Sequence, residues 1–296
     1  MNGTNSGERS YDPYALTGEL SIYYSINSDV ELAATETLVQ SSPYIIHMLY
    51  IAGVENIDSQ NSFGLAQQAN IEPAMADVAL TLLDPTSSKE DEHLQKLDNE
   101  PMFSVADGRI LEDTVPAKFK DHAFIQHLLY SIKEGGTAII FLGKGPLHRE
   151  IEKNARAYLL ENNLVEAVIE LPAKLINPRT VSLYALILKK GRISKNVKFI
   201  DASHCYEATG RVNQLANIDE IYSLYTSEPS VAGKAISKTA DEIISNDYLL
   251  IPASYLSGYE ATENALNLVE IRKELIERAI ENDVKLNHIF AELANN

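Results

Sequence analysis

The sequence carries a single cysteine, Cys205, in 296 residues. That excludes an internal disulfide and any all-cysteine metal site, and Cys205 reads as a small buried hydrophobe beside a strand end. Long apolar runs are missing too. Nothing approaches the ~18 residues a membrane-spanning helix needs, and the polar stretch 1–10 lacks the apolar centre of a signal peptide. These absences predict a cytoplasmic protein with no membrane partner. Positive charge is also scarce: 25 Lys and Arg stand against 42 Asp and Glu, a net charge of −17. Proteins that grip a phosphate backbone unaided usually present a basic face. Three accounts stay open: acidic balance for solubility with a local basic patch surviving, DNA held by a partner, or acidic mimicry of DNA. The carboxylates are dispersed among helices, which disfavours the last. His122, His127, His148 and His204 show no metal-ligand spacing with a second ligand, and no metal is expected. No Ser-His-Asp order appears. Leu142-Gly143-Lys144-Gly145-Pro146 lacks the upstream glycine and the Lys-Ser/Thr ending of a phosphate-binding loop, so Lys144 reads as a solvated loop lysine.

With 45% hydrophobic and 23% charged residues, the chain can bury a core sized for one large domain with an appendage. Strands are predicted at 30–34 and 78–83, with a helix at 43–52 ended by Gly53. Residues 86–122 are polar and charged and predict a long surface loop. Residues 123–190 are densest: a helix stopped by a Gly135-Gly136 cap, a strand at 137–142, a helix at 150–161, and strands at 165–171 and 183–189. That alternation predicts a mostly parallel sheet covered on both faces and ending in an antiparallel strand. Further on, 197–200 is extended and 218–225 and 239–244 are helical. From 261, Leu266, Val269, Leu275, Ile276, Ala279 and Ile280 recur at helical spacing, and a second short helix follows 282–283. The stripe suits either this chain's own core or a partner.

Three stretches carry a resemblance: Phe124-Ile125-Gln126-His127-Leu128-Leu129 with the following Ile132-Lys133-Glu134-Gly135-Gly136, Leu164 to Pro172, and Phe199-Ile200-Asp201-Ala202-Ser203. Together they resemble the methylation subunit of type I restriction-modification systems, which transfers methyl groups to adenine N6 in DNA. The resemblance runs from Tyr11 to the C-terminus and is strongest over 123–252. It implies an α/β fold, a Rossmann-like sheet of the class I S-adenosylmethionine-dependent methyltransferases with helices on both faces. The methyltransferase-like domain would span 1–258, and 259–296 would be a C-terminal helical interaction segment. The helical domain such subunits carry ahead of this core is not in the sequence, so the resemblance is to a divergent, N-terminally truncated member.

The family's cofactor turn reads Asp-Pro-x-x-Gly-Thr-Gly-Gly; here it is Asp12-Pro13-Tyr14-Ala15-Leu16-Thr17-Gly18-Glu19. Asp12, Thr17 and Gly18 are the cofactor-site candidates by resemblance, while Leu16 and Glu19 replace glycines that let the backbone approach the methionine part of S-adenosylmethionine. Glu36 occupies the place of the acid that holds the ribose hydroxyls, with Glu31 as competitor. Adenine methylation needs a flipped base, an acceptor for its amine and an aromatic stacking face. The family supplies Asn-Pro-Pro-Phe after a strand beginning with Asp; here Asp77 begins the strand and Asp84-Pro85-Thr86-Ser87 follows it. Asp84 and Pro85 are the catalytic candidates, and the lost ring removes roughly 1 to 3 kcal/mol of stacking. The resemblance thus implies a retained scaffold with degenerate cofactor and catalytic motifs, and impaired catalysis. An active adenine-specific methyltransferase with divergent motifs and a non-catalytic interaction or regulatory protein are the alternatives. Implied partners are a specificity subunit, an intact methylation or restriction subunit, and DNA only within a complex.

Overall fold

A computed structural model describes residues 7–15, 18–36, 42–60, 75–83, 120–176, 181–227 and 230–256. The first half supplies β1 (Glu8–Asp12), α1 (Glu19–Asn27), β2 (Val30–Glu36), α2 (Ser42–Ile51), β3 (Asn56–Gln60) and β4 (Ala76–Leu82). The second supplies α3 (Lys120–Ser131), β5 (Ile132–Leu142), α4 (Lys153–Glu161), β6 (Val165–Ala173), β7 (Ser182–Lys189) and β8 (Asn196–Asp201). It closes with the hairpin β9 (Tyr206–Thr209) and β10 (Val212–Leu215), then α5 (Ile218–Thr226), β11 (Ala235–Thr239), α6 (Ala240–Ser245) and α7 (Ala253–Leu256).

Nine strands form one sheet in the order β11-β8-β6-β7-β5-β4-β1-β2-β3. Strands β1 to β5 are mutually parallel in the doubly wound order 3-2-1-4-5. The expected antiparallel strand is present, but it does not end the sheet. β7 lies between β5 and β6 and runs antiparallel to both. Such a strand follows its predecessor through a short reversal, whereas a parallel neighbour needs a crossover. β7 is apolar along nearly its whole length because both of its faces are covered. Ala138, Ile140, Leu142, Leu186, Leu188 and Phe199 pack on one face, under Phe124, Ile125 and Leu128 of α3. Ala167, Ile169, Ala185, Ile187 and Ile200 pack on the other, with Leu224 of α5.

Two sequence expectations shift. The Gly135-Gly136 pair does not cap α3. The helix ends at Ser131 and β5 begins at once, with Gly135 at φ 81° inside the strand where pairing with β4 slips between Ala76 and Val78. Only a residue without Cβ takes that backbone cheaply. Residues 120–122, placed in a loop by their polarity, form the first turn of α3; His122 is buried there. The rest of the predicted loop, the boundary at 258 and the helices from 261 lie outside the described residues. Among the described residues, no helix is long and apolar enough to cross a membrane.

Candidate functional site

Parallel strands bring their carboxyl ends to one edge, the edge where open α/β sheets hold ligands. Asp12 ends β1 opposite Thr35 of β2, so Glu36 stands one residue beyond that partner at the same edge. Tyr11 is opposite Ala79 of β4, and Leu83 continues the strand by donating its N–H to Phe141 O at 2.8 Å. Asp84 therefore follows directly from a pinned strand end. The fold thus brings the backbones of Asp12, Gly18 and Glu36 and the exit of β4 to one edge. Thr17, Asp84 and Pro85 lie outside the described residues, as does the side chain of Glu36.

β1 lacks the apolar run of a buried strand, yet Ser10, Tyr11 and Asp12 are all buried. The last two find their reason in tertiary partners. Tyr11 Oη shares a 2.7 Å hydrogen bond with His127 Nε2, which joins β1 to α3 and makes His127 a packed core ring. Asp12 Oδ1 accepts from Tyr14 N at 3.0 Å, and Oδ2 accepts from Ser21 Oγ at 3.3 Å. Burial still dominates and raises the Asp12 pKa to about 6, while the Tyr14 N–H and the nearby Thr81 and Ser21 hydroxyls pull it down. Thr81 Oγ1 is itself buried and short of a well-formed bond.

Gly18 caps α1 in the left-handed region, at φ 71° and ψ 6°. A Cβ there would sit 2.6 Å from Ile45 Cγ1, and Ile45 is wholly buried between Ala15, Ile22 and Leu49. Gly18→Ala is therefore expected to cost about 2 kcal/mol in urea unfolding, from left-handed strain plus overpacking. An unchanged midpoint would mean that Ile45 moves aside freely.

Asp77, the acid that begins β4, sits at the opposite end of the sheet. It accepts Arg9 N at 2.9 Å and Lys133 Nζ at 2.9 and 3.0 Å, so it clamps three strand starts and stands away from the site edge.

The loop leaving β5 is fixed by a buried polar group that sequence pattern does not reveal. Gly145 and Leu147 lie in a single 3-10 turn, with Lys144 exposed as expected. Beneath it, Arg156 is 1% exposed; its Nε donates to Tyr248 O at 2.8 Å, and its Nη1 to Arg149 O at 2.8 Å and Pro146 O at 3.2 Å. Glu152, fully buried, pairs with Arg149 at 3.1 Å and faces His122 Nε2 at 3.6 Å. Desolvation pushes the Glu152 carboxyl up and, helped by the Arg156 and Arg149 charges, pushes His122 down, so the imidazole stays neutral. The only polar signal in the sequence was the i, i+3 and i, i+4 spacing of Arg149, Glu152 and Arg156.

A doubly wound sheet whose first strand ends in an acid followed by a glycine-capped helix, and whose first, second and fourth strands all end at one edge, is the class I S-adenosylmethionine-dependent methyltransferase fold. The family model for N-6 DNA methylases matches residues 49–264, and the chain belongs to that family. The methylase subunit of the type I restriction enzyme MpnII from Mycoplasma pneumoniae is 34% identical over 157 residues, 52% of this chain and 29% of that protein. The MjaVII methylase subunit from Methanocaldococcus jannaschii is 32% identical over 171 residues, 55% of this chain and 29% of that protein. The chain thus spans less than a third of the length of these curated relatives. The crystal structure of a type I restriction-modification methyltransferase subunit from Streptococcus thermophilus superposes with a TM-score of 0.68 at 26% identity, covering 85% of this chain and 54% of that one.

Proposed function

We propose that this chain takes the place of a DNA adenine-N6 methylation subunit in a cytoplasmic type I restriction-modification assembly while transferring methyl groups poorly or not at all. The observation that carries this reading is Glu19. It is the first residue of α1, exposed, directly after the Gly18 cap. The free N–H groups of a helix's first turn favour an anion. With Glu19 there, the turn already holds a negative charge where a glycine would have admitted the methionine end of the cofactor, and the cofactor's own carboxylate is repelled. Asp12 is turned inward, both its oxygens accepting protein donors. The described residues of this turn do not fit S-adenosylmethionine, and Leu16 adds bulk where the family has a glycine. At the end of β4, Asp84-Pro85 retains half of the catalytic motif without the second proline or the stacking ring.

Titration calorimetry of the purified chain with S-adenosylmethionine is expected to show affinity weaker than micromolar, and Glu19→Gln is expected to tighten it by about tenfold. Micromolar affinity in the unchanged chain would overturn the reading. So would labelled methyl incorporation into DNA by this chain, with or without a specificity subunit, which is the result expected of an active enzyme with divergent motifs. The partners proposed are a specificity subunit, docked on the apolar stripe beginning at 261, and an intact methylation or restriction subunit. With a net charge of −17, the chain would meet DNA only inside that complex.

A further inference from the structure

At the far end of the sheet from the methyltransferase edge strands, β8 runs into a turn whose shape is fixed by Ser203 N donating to Asp201 Oδ1 at 2.9 Å and Cys205 N donating to Ala202 O at 2.9 Å. The β9–β10 hairpin follows, and Ala216 N returns to Cys205 O at 2.9 Å, closing its base. Asn217 then turns the chain in the left-handed region, at φ 54° and ψ 40°, and starts α5 with Glu220 in its first turn. Residues sixteen apart in sequence are thereby brought together. His204 Nε2 lies 3.6 Å from Cys205 Sγ and 3.3 Å from Glu220 Oε1, and the three ligand-bearing groups lie within 4.8 Å of one another.

The geometry points to a binding site for a thiophilic divalent cation of the zinc type at His204, Cys205 and Glu220. Tetrahedral zinc with bonds of about 2.3 Å to sulfur and about 2.0 to 2.2 Å to nitrogen and oxygen has ligand-to-ligand edges of about 3.6 Å for N···S and about 3.4 Å for N···O. The two measured edges have those lengths without rearrangement. One sulfur, one imidazole and one carboxylate is a donor set that selects zinc-like ions over magnesium or calcium. Entry is open, because the His204 side chain is 42% exposed while the thiol is buried behind it. Lys234 Nζ, 2.6 Å from Glu220 Oε1, already supplies a cation at the carboxylate and competes with the metal for it. The ion would staple the base of the hairpin to α5, reinforcing the His204–Glu220 contact already made there.

Cobalt(II) titration of the reduced full chain tests the site, since a thiolate ligand gives a charge-transfer band and a tetrahedral field gives intense visible bands. One cobalt per chain is expected, displaced by zinc. Cys205→Ser should abolish the charge-transfer band, and His204→Ala, at an exposed position, should weaken binding by at least about tenfold. Lys234→Ala should tighten it severalfold, an effect that a bare thiol would not show. Absence of the band in the unchanged chain overturns the site. Equal binding by the unchanged, His204→Ala and Glu220→Gln chains also overturns it, by showing cobalt on the cysteine alone.

Discussion

Arg156→Met is expected to remove about 3 to 5 kcal/mol of folding stability, read as a fall in the urea midpoint at constant slope. The methionine has the volume to fill the space, so the loss is electrostatic and not a cavity. Three carbonyls, of Pro146, Arg149 and Tyr248, lose the donor they share, the first of them in a buried site and the other two half-buried. Each buried acceptor left without a partner costs about 1 to 3 kcal/mol. Glu152 also loses one of the two guanidinium charges that favour its ionised form. The change should loosen the loop after β5 and the 246–250 segment together, because one side chain ties both. Retention of wild-type stability would show that the carbonyls find other donors.

Asp12→Asn is expected to be neutral in acid and stabilising above neutrality, a pH dependence few core substitutions show. The Asp12 carboxyl is raised to about 6 in the folded chain against an ordinary 3.8. The folded state therefore holds its proton more tightly than the unfolded state. This favours folding fully below about pH 4 and fades as pH rises through about 6, above which the folded chain carries a buried, desolvated charge. A displacement of about two pH units corresponds to roughly 3 kcal/mol. Asparagine keeps an acceptor for Tyr14 N, and its amide can donate to Ser21 Oγ or to the buried Thr81 hydroxyl, but it never ionises. The variant should match the parent near pH 4 and exceed it by roughly 3 kcal/mol at pH 8. Glu152 and His122 titrate in the same range in opposite directions, so the difference between variant and parent is the quantity to read. A difference that does not change between pH 4 and 8 would show that folding does not raise the Asp12 carboxyl.

The parts of this fold legible in the sequence were those where one local pattern has one structural solution. Val165 to Leu171 and Leu183 to Lys189 are short, largely apolar runs whose length suits a strand buried on both faces. The helix at 43–52 and the α4 region carry their own boundaries, and the described elements Ser42–Ile51 and Lys153–Glu161 agree with them to within a few residues. β1 was poorly legible. Its buried residues are a serine, a tyrosine and an aspartate, and the partners of the last two are Ser21, Thr81 and His127, residues 9 to 116 positions away. The start of α3 was missed for the same reason: Asp121 and His122 are polar, and the burial of His122 rests on neighbours in the 146–156 segment.

The candidate site divides along the same line. Asp12, Gly18 and Glu36 could be named through the resemblance of their stretches to the family's motifs, and parallel pairing then placed their backbones at one edge. The protonation of Asp12 could not be read that way, because desolvation depends on what surrounds a group in space. Nor could His204, Cys205 and Glu220 be seen as a set, since two of them are adjacent and the third is reached only through a hairpin and a left-handed turn.

By itself the sequence determined the alternation of helix and strand, the two-faced apolar strands and the family to which the chain belongs, because these follow from the period of local patterning and from motif order. The tertiary structure alone decided that β7 inserts between β5 and β6, that Arg156 is buried and that burial raises the Asp12 carboxyl to about 6. Strand insertion, burial and charge state are set by long-range pairing and by exclusion of water, and neither is written in any one segment of the chain.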